Sequence, residues 1–413
     1  MRVGFLTGEF PPMRGGVGDY TARIASTMGR MGNDCHVVTS TAAQTTTSEP
    51  LPFAPHVWPT MSRWNWQSLA HLRRVISDVY PDLINLQYQT GAFAMSPAIN
   101  ILPLILGRRA RKTPFVVTCH DIKAPYLFPK AGLLRWLTNR VLFALSDATI
   151  VTNEQDLAQL VHADEDLTSQ PFKDRLGRRS IYLIPIGSNI DRVELSTEGR
   201  ENHRQSLGIQ SHEVAIGFFG FIDSWKGVEA LIEAYSNLRM KHSGIKLVFV
   251  GGKRLNPTSK QADYQDAIEQ QVRTTGYESD VLWTGFADAV GVSHFLQCLD
   301  ICALPFVEGA CYRHGSLMAA IEHRLSIVTT KPHSAFGPDV GAPLLPLRDG
   351  ENALLVAPGD VTALGAALER LIVSPSARER LRTGVELLAP QFSWESIARS
   401  TLRVYEHVVA AQQ

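Results

Sequence analysis

The feature that most constrains the fold of this chain is a series of short apolar runs separated by segments with helical patterning. Each run is apolar throughout, which is typical of a parallel strand covered by helices on both faces. The series restarts near residue 190, so the chain has two sets of predicted strands. The first set is Val3 to Thr7, Cys35 to Thr39, Leu83 to Leu86, Phe115 to Thr118, Ala148 to Val151 and Ile181 to Ile184; the second is Ala215 to Phe219, Lys246 to Val250, Val281 to Trp283, Ile301 to Leu304, Ser326 to Thr329 and Ala353 to Val356.

This pattern predicts an α/β protein of two tandem doubly wound, Rossmann-like domains that face each other across a cleft. A chain of 413 residues also exceeds what one hydrophobic core usually supports. We predict a first domain over residues 1–190 and a second over residues 191–392. The helical segment 393–413 either completes the second domain or packs back on the first. Polar composition predicts surface connections at Thr41 to Pro59, Gly187 to Gly208 and Lys253 to Lys260.

Charge and composition exclude several classes of protein. Lys+Arg and Asp+Glu are equal at 40 each, so no global charge favours nucleic acid as a partner. Neither a secretory signal nor an apolar run of ~20 residues is present, which predicts a cytoplasmic protein. The spacing of Cys and His residues shows no metal-ligand cluster, so no metal is expected. The five cysteines fit buried reduced thiols: Cys35, Cys119, Cys298, Cys302 and Cys311.

A glycine-rich turn follows the first strand and precedes a helix, within Glu9 to Tyr20. Such a turn lets a ligand approach the backbone, and the N–H groups of the helix start favour an anion. It is not a dinucleotide fingerprint, because Thr21 stands where the third glycine is needed and no carboxylate follows the second strand. A P-loop motif is also missing from the sequence. A strand-to-helix connection without a ligand is the alternative.

Three further loops follow predicted strands and carry polar side chains. They are Cys119 to Asp121, Asp223 to Gly227 and Glu308 to Ser316. Ligands of open parallel sheets collect at the carboxyl ends of the strands, so all four loops are expected to face one cleft. Each His or Lys taken alone could equally be solvated surface.

Together these segments resemble the family 4 glycosyltransferases, which are retaining enzymes with the two-domain GT-B fold. The resemblance spans nearly the whole chain and rests on the order and spacing of several motifs. They are Glu9-Phe10-Pro11-Pro12 with Gly15-Gly16-Val17-Gly18, Thr118-Cys119-His120-Asp121, Ile184 to Asp191, Gly220 with Lys226 to Ala234, Val250-Gly251-Gly252, Asp349 to Val356 and Phe392-Ser393-Trp394-Glu395.

The resemblance implies a metal-independent transferase that moves a sugar from a nucleotide-sugar donor to a glycan, lipid-linked or small-molecule acceptor, without a cofactor. Lys226 would neutralise the leaving diphosphate, His120 would bond a hydroxyl of the donor sugar, and Glu308 would bond further hydroxyls. Gly315 and Ser316 would present N–H groups to phosphate. It further assigns Gly15, Gly16 and Gly251 to the donor, and Val17, Tyr20 and Asp121 to the acceptor side.

The sequence departs from the family pattern at two positions. Phe221 stands where the family usually carries an arginine over the diphosphate, and Ala319 stands where a second glutamate usually binds the donor ribose. The loop before Ala319 contains Arg313-His314-Gly315-Ser316, which resembles a variant branch of the family. We hypothesise that Arg313 supplies the cation missing at Phe221, because guanidinium binds phosphate oxygens bidentately.

Other interpretations remain open from the sequence. A nucleotide-sugar epimerase or a glycan phosphorylase could share the fold, and a non-catalytic module that binds nucleotide sugars or glycans would fit the two departures. The basic amphipathic stretch Lys130 to Phe143 could lie on an anionic membrane, at its inner face, or cover the sheet as a packed helix. We favour the packed helix, because the sheet needs a cover at this position.

Overall fold

The computed structural model describes residues 1–13, 15–44, 53–106, 113–123, 125, 134–165, 180–252, 258–332 and 345–411. The chain divides into two compact units. Unit 1 comprises Met1–Ile186 with Trp394–Gln413, and unit 2 comprises Gly187–Ser393. Each has its own parallel sheet, which confirms the prediction of two Rossmann-like α/β domains.

Unit 1 contains a seven-stranded parallel sheet in the order β3-β2-β1-β4-β5-β6-β7. This order reverses direction between β1 and β4, as in doubly wound folds. Its strands are β1 (Arg2–Leu6), β2 (Asp34–Ser40), β3 (His56–Met61), β4 (Leu83–Tyr88), β5 (Phe115–Cys119), β6 (Ala148–Val151) and β7 (Ser180–Leu183), and its helices before the second unit are α1 (Gly16–Arg30), α2 (Leu69–Val79), α3 (Leu102–Leu106), α4 (Leu134–Leu145) and α5 (Glu154–Glu165).

Alternate side chains of the unit 1 strands enter two different cores, one on each face of the sheet. Phe115 and Val117 of β5 lie in one core with Leu72 of α2, whereas Val116 lies in the other with Ile24 of α1. Because successive side chains of a strand point to opposite faces, burial on both faces requires a continuous apolar run. This is why the sequence pattern located these strands.

Unit 2 contains a six-stranded parallel sheet in the order β10-β9-β8-β11-β12-β13, which follows the same winding rule as unit 1. Its strands are β8 (Val214–Phe221), β9 (Ile245–Gly252), β10 (Val281–Trp283), β11 (Ile301–Leu304), β12 (Ile327–Thr330) and β13 (Leu354–Val356), and its helices are α6 (Thr197–Ser206), α7 (Val228–Arg239), α8 (Ser259–Thr274), α9 (Ala289–Gln297), α10 (Gly315–Glu322), α11 (Val361–Val373) and α12 (Pro375–Leu388).

The last helix, α13 (Trp394–Ala410), belongs to unit 1 although it follows unit 2 in sequence. Its buried residues Ile397 and Tyr405 join Ile24 and Met28 of α1 in one apolar core. The chain therefore ends on the helix layer that covers the first sheet.

Two predicted connections contain regular structure. The Thr41 to Pro59 segment was expected to be a loop, but β3 begins at His56 and pairs in parallel with β2. The prediction failed because β3 is an edge strand with several exposed residues and a proline, so it shows no continuous apolar run. The Gly187 to Gly208 connection likewise contains α6, whose N-cap is Ser196.

Two other predicted segments lie partly outside the described residues. The predicted loop Lys253 to Lys260 is described only from residue 258, and Ser259 already begins α8. Of the basic stretch Lys130 to Phe143, the structure describes α4 from Leu134, and Leu142 and Phe143 are buried in the unit 1 core. Over the described part of the chain, none of the helices combines the length and hydropathy that crossing a bilayer requires. All five cysteines are buried thiols outside any disulfide bond, as predicted.

Candidate active site

Two neighbouring strands of unit 2 each carry a glycine one residue before their carboxyl ends, and these glycines lie side by side. Gly220 of β8 pairs with Gly251 of β9, and both have positive φ angles, of 118° and 90°. L-residues with a Cβ rarely adopt this conformation, so the sequence needs glycine at both places. A Cβ built on Gly220 would lie 2.5 Å from Lys226 Nζ. The glycine edge therefore makes room for the lysine ammonium group.

Lys226 ends a short helical turn, Ser224–Lys226, and its side chain is buried. Its Nζ lies 5.0 Å from the ring centroid of Trp225 and 5.8 Å from that of Phe218. Ser316 Cβ lies 3.9 Å from the same built Cβ of Gly220 that Lys226 Nζ approaches. The ammonium group is thus close to the N-terminus of α10, where the backbone N–H groups and the helix dipole also favour an anion.

His314 is the N-cap residue of α10 and is buried in an aromatic stack. Its ring lies 3.7 Å from that of Phe306 and 5.5 Å from that of Trp225, measured between centroids. Its Nδ1 accepts a hydrogen bond from the backbone N–H of Cys311 at 3.3 Å. Burial, together with the positive charges of Arg313 and Lys226, lowers the pKa of His314 to about 3. Both cations therefore act on the same neutral imidazole.

Arg313 and Glu308 form an ion pair in this loop, with 3.3 Å between Arg313 Nη2 and Glu308 Oε2. Both side chains are exposed. Phe221, at the position of the missing family arginine, is 42% exposed at the end of β8. Ala319 is buried within α10, so its position offers no polar group to a ribose. Arg313 therefore adds a second positive charge to the surroundings of His314, at the start of α10, but the Glu308 carboxylate already pairs with it.

The glycine turn of unit 1 differs from the prediction in one respect. Glu9 Oε1 accepts hydrogen bonds from the backbone N–H groups of Val17 and Gly18, at 3.1 and 3.3 Å. A Cβ on Gly15 would collide with the Glu9 carboxylate, whereas a Cβ on Gly16 would meet none of the described residues within 4 Å. The start of α1 was expected to offer free N–H groups to a phosphate, but the protein's own carboxylate occupies two of them.

Glu9 belongs to the motif Glu9-Phe10-Pro11-Pro12, but its role as a cap was not predicted from the sequence. An acidic residue a few positions before a helix start is the signal that could have revealed the cap.

His120 directly follows β5 and is partly buried. Its Nε2 lies 2.8 Å from Gln87 Oε1, and the edge of the Tyr20 ring packs against the imidazole at a centroid distance of 4.7 Å. Burial lowers the pKa of His120 to about 3. At neutral pH the imidazole is uncharged, so it can exchange hydrogen bonds with a sugar but contributes no positive charge.

The residues assigned to the acceptor side occupy different environments. The side chains of Val17 and Tyr20 are buried, and Tyr20 packs between His120 and Trp394. Asp121 Oδ1 accepts a hydrogen bond from the backbone N–H of Lys123 at 3.3 Å and shapes the turn after β5. Their contacts with an acceptor stay predictions.

The structure also brings together three possible metal ligands that the sequence spacing did not show. Side-chain ligand atoms of Asp34, His36 and His56 lie within 4.8 Å of one another, because His56 belongs to the unpredicted strand β3. His36 Nδ1 accepts a hydrogen bond from Trp58 Nε1 at 3.1 Å, which uses the single lone pair of a neutral imidazole. Arg2 Nε lies 2.7 Å from Asp34 Oδ2. The cluster also contains the close approach of His36 Nε2 to Asp34 Oδ1, at 3.0 Å. It lies at the amino ends of β2 and β3, whereas His120 follows the carboxyl end of β5 in the same sheet.

Comparison with known families agrees with this arrangement. A family model described as glycosyltransferase family 4 matches residues 14–166, and one described as glycosyl transferases group 1 matches residues 213–374. The chain belongs to the family 4 glycosyltransferases. The two matches fall in unit 1 and unit 2 respectively, so each Rossmann-like unit carries one half of the family signature.

Among curated relatives of this glycosyltransferase, a phosphatidyl-myo-inositol mannosyltransferase of Mycobacterium leprae is 23% identical over 100% of this chain and 98% of the relative. Alignments with other curated relatives are shorter, and in several the chain spans about half of the relative's length.

Two solved structures resemble the whole chain. A sucrose-phosphate synthase from Thermosynechococcus elongatus has a TM-score of 0.70 at 19% identity and covers 100% of both chains. The HepE protein of Anabaena, solved in complex with UDP, has a TM-score of 0.69 at 16% identity and covers 98% of this chain and 100% of its own. At these identities the likeness concerns the fold.

Proposed function

We propose that this family 4 glycosyltransferase transfers a sugar from a nucleotide-sugar donor to a hydroxyl-bearing acceptor, with unit 2 binding the donor diphosphate. The observation that carries the proposal is the convergence of Lys226, Arg313 and the N-terminus of α10 at the carboxyl edge of the unit 2 sheet. Ligands of doubly wound sheets bind at this edge. Two cations beside a helix N-terminus suit a diphosphate better than a neutral ligand.

The same groups would act during the reaction. The bond between the anomeric carbon and the phosphate oxygen breaks, so negative charge grows on the departing diphosphate. Preorganised positive charge at that place is the largest single contribution that a site of this kind can make. We assign this role to Lys226, Arg313 and the α10 N–H groups in place of a metal ion.

The stereochemical course is proposed from the family resemblance. In a retaining front-face displacement the acceptor oxygen bonds to the anomeric carbon as the phosphate oxygen leaves, and the acceptor proton passes to that departing oxygen. In such a step the donor sugar must be held in place, and His120 suits that role because its imidazole is neutral and bonded to Gln87. The acceptor, a glycan, a lipid-linked sugar or a small molecule, is assigned to unit 1.

Binding of nucleoside diphosphates tests the proposal most directly. UDP, GDP and ADP are titrated against the full chain by calorimetry, with UDP first because one structural neighbour was solved with it. Lys226→Met should lower the affinity for the best-binding diphosphate by about tenfold or more, which corresponds to the loss of one charge-assisted hydrogen bond. Lys241→Met is the control, since Lys241 is an exposed lysine of unit 2 paired with Glu369.

Turnover then separates an enzyme from a binding module. The nucleotide sugar that shares the best base is incubated with the protein, and release of the nucleoside diphosphate is followed with and without a metal chelator. Release that continues in the chelator, with retention at the anomeric carbon by NMR, supports the proposal. Tight binding without any release would favour the non-catalytic module, and no binding of any diphosphate would refute the donor site.

A further inference from the structure

A row of polar side chains crosses the apolar centre of the unit 1 sheet and ends at His120. Thr118 of β5 and Asn85 and Gln87 of β4 are each at most 1% exposed. Asn85 Nδ2 donates to Thr118 Oγ1 at 3.0 Å, and Gln87 Nε2 donates to Asn85 Oδ1. Gln87 Oε1 then lies 2.8 Å from His120 Nε2. We call these residues, Thr118, Asn85 and Gln87, the amide ladder.

The amide ladder determines which ring nitrogen of His120 carries the proton. Gln87 uses its NH₂ group on Asn85, so it presents its carbonyl oxygen to His120. A carbonyl oxygen only accepts hydrogen bonds, so His120 Nε2 must be the protonated nitrogen. A neutral imidazole has one ring N–H, and Nδ1 is therefore left with a lone pair.

The free nitrogen is available to a ligand. Within the described residues Nδ1 of His120 makes no hydrogen bond, and the imidazole is only partly buried. The Tyr20 ring packs edge-on against the imidazole, and Trp394 packs against Tyr20 at a centroid distance of 5.3 Å. The ring is thus held on one side by packing and on another by the Gln87 hydrogen bond.

The amide ladder places polar side chains where apolar ones would be more stable. Buried amides and hydroxyls are destabilising unless every one of them is hydrogen-bonded, and apolar residues of similar size would cover this sheet without that requirement. Neighbouring residues of the same strands, Leu86 and Val117, are apolar and fully buried. The polar residues therefore serve the group at the end of the row.

We propose that Gln87, oriented by Asn85, is a positioning residue that holds His120 with its proton on Nε2, so that Nδ1 accepts a hydrogen bond from a hydroxyl group of the bound sugar. This inference rests on the proposed function. It specifies the ligand chemistry, because an acceptor nitrogen binds a hydroxyl group and is repelled by a phosphate oxygen. Gln87 acts through His120 and does not itself contact the sugar.

The tautomer can be measured without any substrate. The full chain is labelled with ¹⁵N-histidine, and two-bond ¹H–¹⁵N correlation spectra are recorded at neutral pH. The signals of His120 are assigned by their loss in His120→Asn. We expect protonated Nε2 and unprotonated Nδ1. A protonated Nδ1 would show that the amide ladder runs in the opposite direction and would overturn the inference, whatever reaction the protein catalyses.

Two substitutions of Gln87 connect the tautomer to turnover. Gln87→Met keeps the side-chain size but removes the acceptor, so the NMR pattern of His120 should become a mixture of both tautomers. Turnover of the nucleotide sugar should fall about tenfold, the value of one hydrogen bond, while the nucleoside diphosphate alone binds as before. Equal losses for both ligands would indicate general damage to the fold and contradict the positioning role.

Gln87→Glu supplies the rescue. A carboxylate can only accept hydrogen bonds, so Asn85 must turn its amide and donate Nδ2 to it; Thr118 Oγ1 permits this, because it lies within hydrogen-bond distance of both Asn85 amide atoms, at 3.0 and 3.3 Å. At alkaline pH, where the imidazole is neutral, Gln87→Glu should then keep the proton on Nε2 and restore turnover to within about threefold of the unmodified protein. A Gln87→Glu variant as slow as Gln87→Met would count against the inference. Gln265→Met is the matched control, because Gln265 is also buried, lies on α8 of unit 2, and has an Nε2 atom that finds no hydrogen-bond partner among the described residues.

Discussion

At the scale of single residues, the ion pair between Arg313 and Glu308 offers a test of the proposed donor site. Their ion pair is exposed, and exposed pairs contribute about 0 to 1 kcal/mol. A hydrogen bond from guanidinium to a phosphate oxygen contributes about 1.5 to 3 kcal/mol. A bound diphosphate should therefore replace Glu308 as the partner of Arg313. The Glu308 carboxylate can then accept hydrogen bonds from sugar hydroxyls.

Arg313→Ala should accordingly weaken nucleoside diphosphate binding by more than about tenfold, as measured by calorimetry. Glu308→Gln removes the competing charge, so it should leave this affinity unchanged or raise it, while turnover of the nucleotide sugar falls. Arg273→Ala is the matched control, because Arg273 is an exposed arginine of unit 2 paired with Glu269 on α8. An unchanged affinity in Arg313→Ala would eliminate Arg313 as the replacement for the arginine missing at Phe221.

Buried histidines predict how stability depends on pH. Burial lowers the pKa of His314 to about 3 and that of His323 to about 4, whereas an unfolded histidine titrates near 6.5. Below pH 6.5 the unfolded chain therefore binds protons that the folded chain does not, and the free energy of unfolding should fall as the pH falls. Each histidine contributes up to about 1.4 kcal/mol per pH unit over this range.

His314→Asn tests this effect. The asparagine oxygen can replace Nδ1 as the acceptor for the Cys311 N–H but does not titrate, so urea denaturation of this variant should show a shallower loss of stability between pH 6.5 and 4.5. His212→Asn, at an exposed position, should keep the steeper slope of the unmodified protein. Identical slopes in all three proteins would mean that His314 does not contribute.

At the scale of elements, two adjacent glycines at the N-terminus of α1 are expected to have different roles, Gly15 in stability and Gly16 in turnover. Gly15 is packed against the Glu9 carboxylate, whereas a Cβ on Gly16 would meet no described residue within 4 Å. Gly15→Ala should displace Glu9 from the helix and cost about 1 kcal/mol of stability, the usual value of a helix cap. Gly16→Leu should leave the denaturation midpoint unchanged but lower turnover more than donor affinity.

Asp360→Ala is the control for the loss of a helix cap at a different helix, α11. Asp360 Oδ1 accepts from the Ala363 N–H at the start of α11, so its loss should lower stability by a similar amount without changing turnover. If Gly16→Leu turned over normally, the glycine turn would have no part in the reaction. If it lost stability instead, the space next to Gly16 would be needed by the fold.

The same elements show what the sequence could and could not predict. Twelve of the strands were predicted within a few residues because burial on both faces imposes an apolar run. The edge strand β3 was not predicted because only one of its six residues is buried and it contains Pro59. Helix α6 was not predicted because its residues are mostly polar. Spacing likewise placed His120, Lys226 and Glu308 at strand ends.

The polar details of the candidate site depend on contacts across the sheet. Gln87 and Asn85 lie in a strand recognised by its apolar neighbours, and nothing in a linear pattern says that their amides line up with His120. Polar residues inside an otherwise apolar strand are the signal that could have drawn attention to them. The capping of α1 by Glu9 and the stacking of His314 on Phe306 and Trp225 arise in the same way, from folding.

At the scale of the whole molecule, the two units have separate cores, but the last helix, α13, packs in unit 1 against the first helix, α1. Trp394 packs on Tyr20, and Tyr20 packs on His120. The start of α13 therefore supports the candidate catalytic histidine through one intervening ring. A chain that lost α13 would expose the core face formed with α1, including Ile24 and Met28.

Trp394→Ala should destabilise unit 1 by about 3 kcal/mol, the low end for truncating a buried tryptophan. Because the two units have their own cores, the molecule need not unfold in one step, and a single midpoint would hide the effect. Hydrogen exchange followed by mass spectrometry resolves the units: protection should fall in β1, α1 and β5, while β8 and β9 keep theirs.

The exchange pattern also distinguishes two ways in which unit 1 could respond. Trp66→Ala, a change at an exposed tryptophan of the same unit, should alter protection in neither unit. If Trp394→Ala lowered protection equally in both units, the two cores would unfold together, and α13 would stabilise the entire chain. If protection fell only in unit 1 and nucleoside diphosphate binding persisted, binding of the diphosphate would be a property of unit 2 alone, in agreement with the role proposed for Lys226 and Arg313.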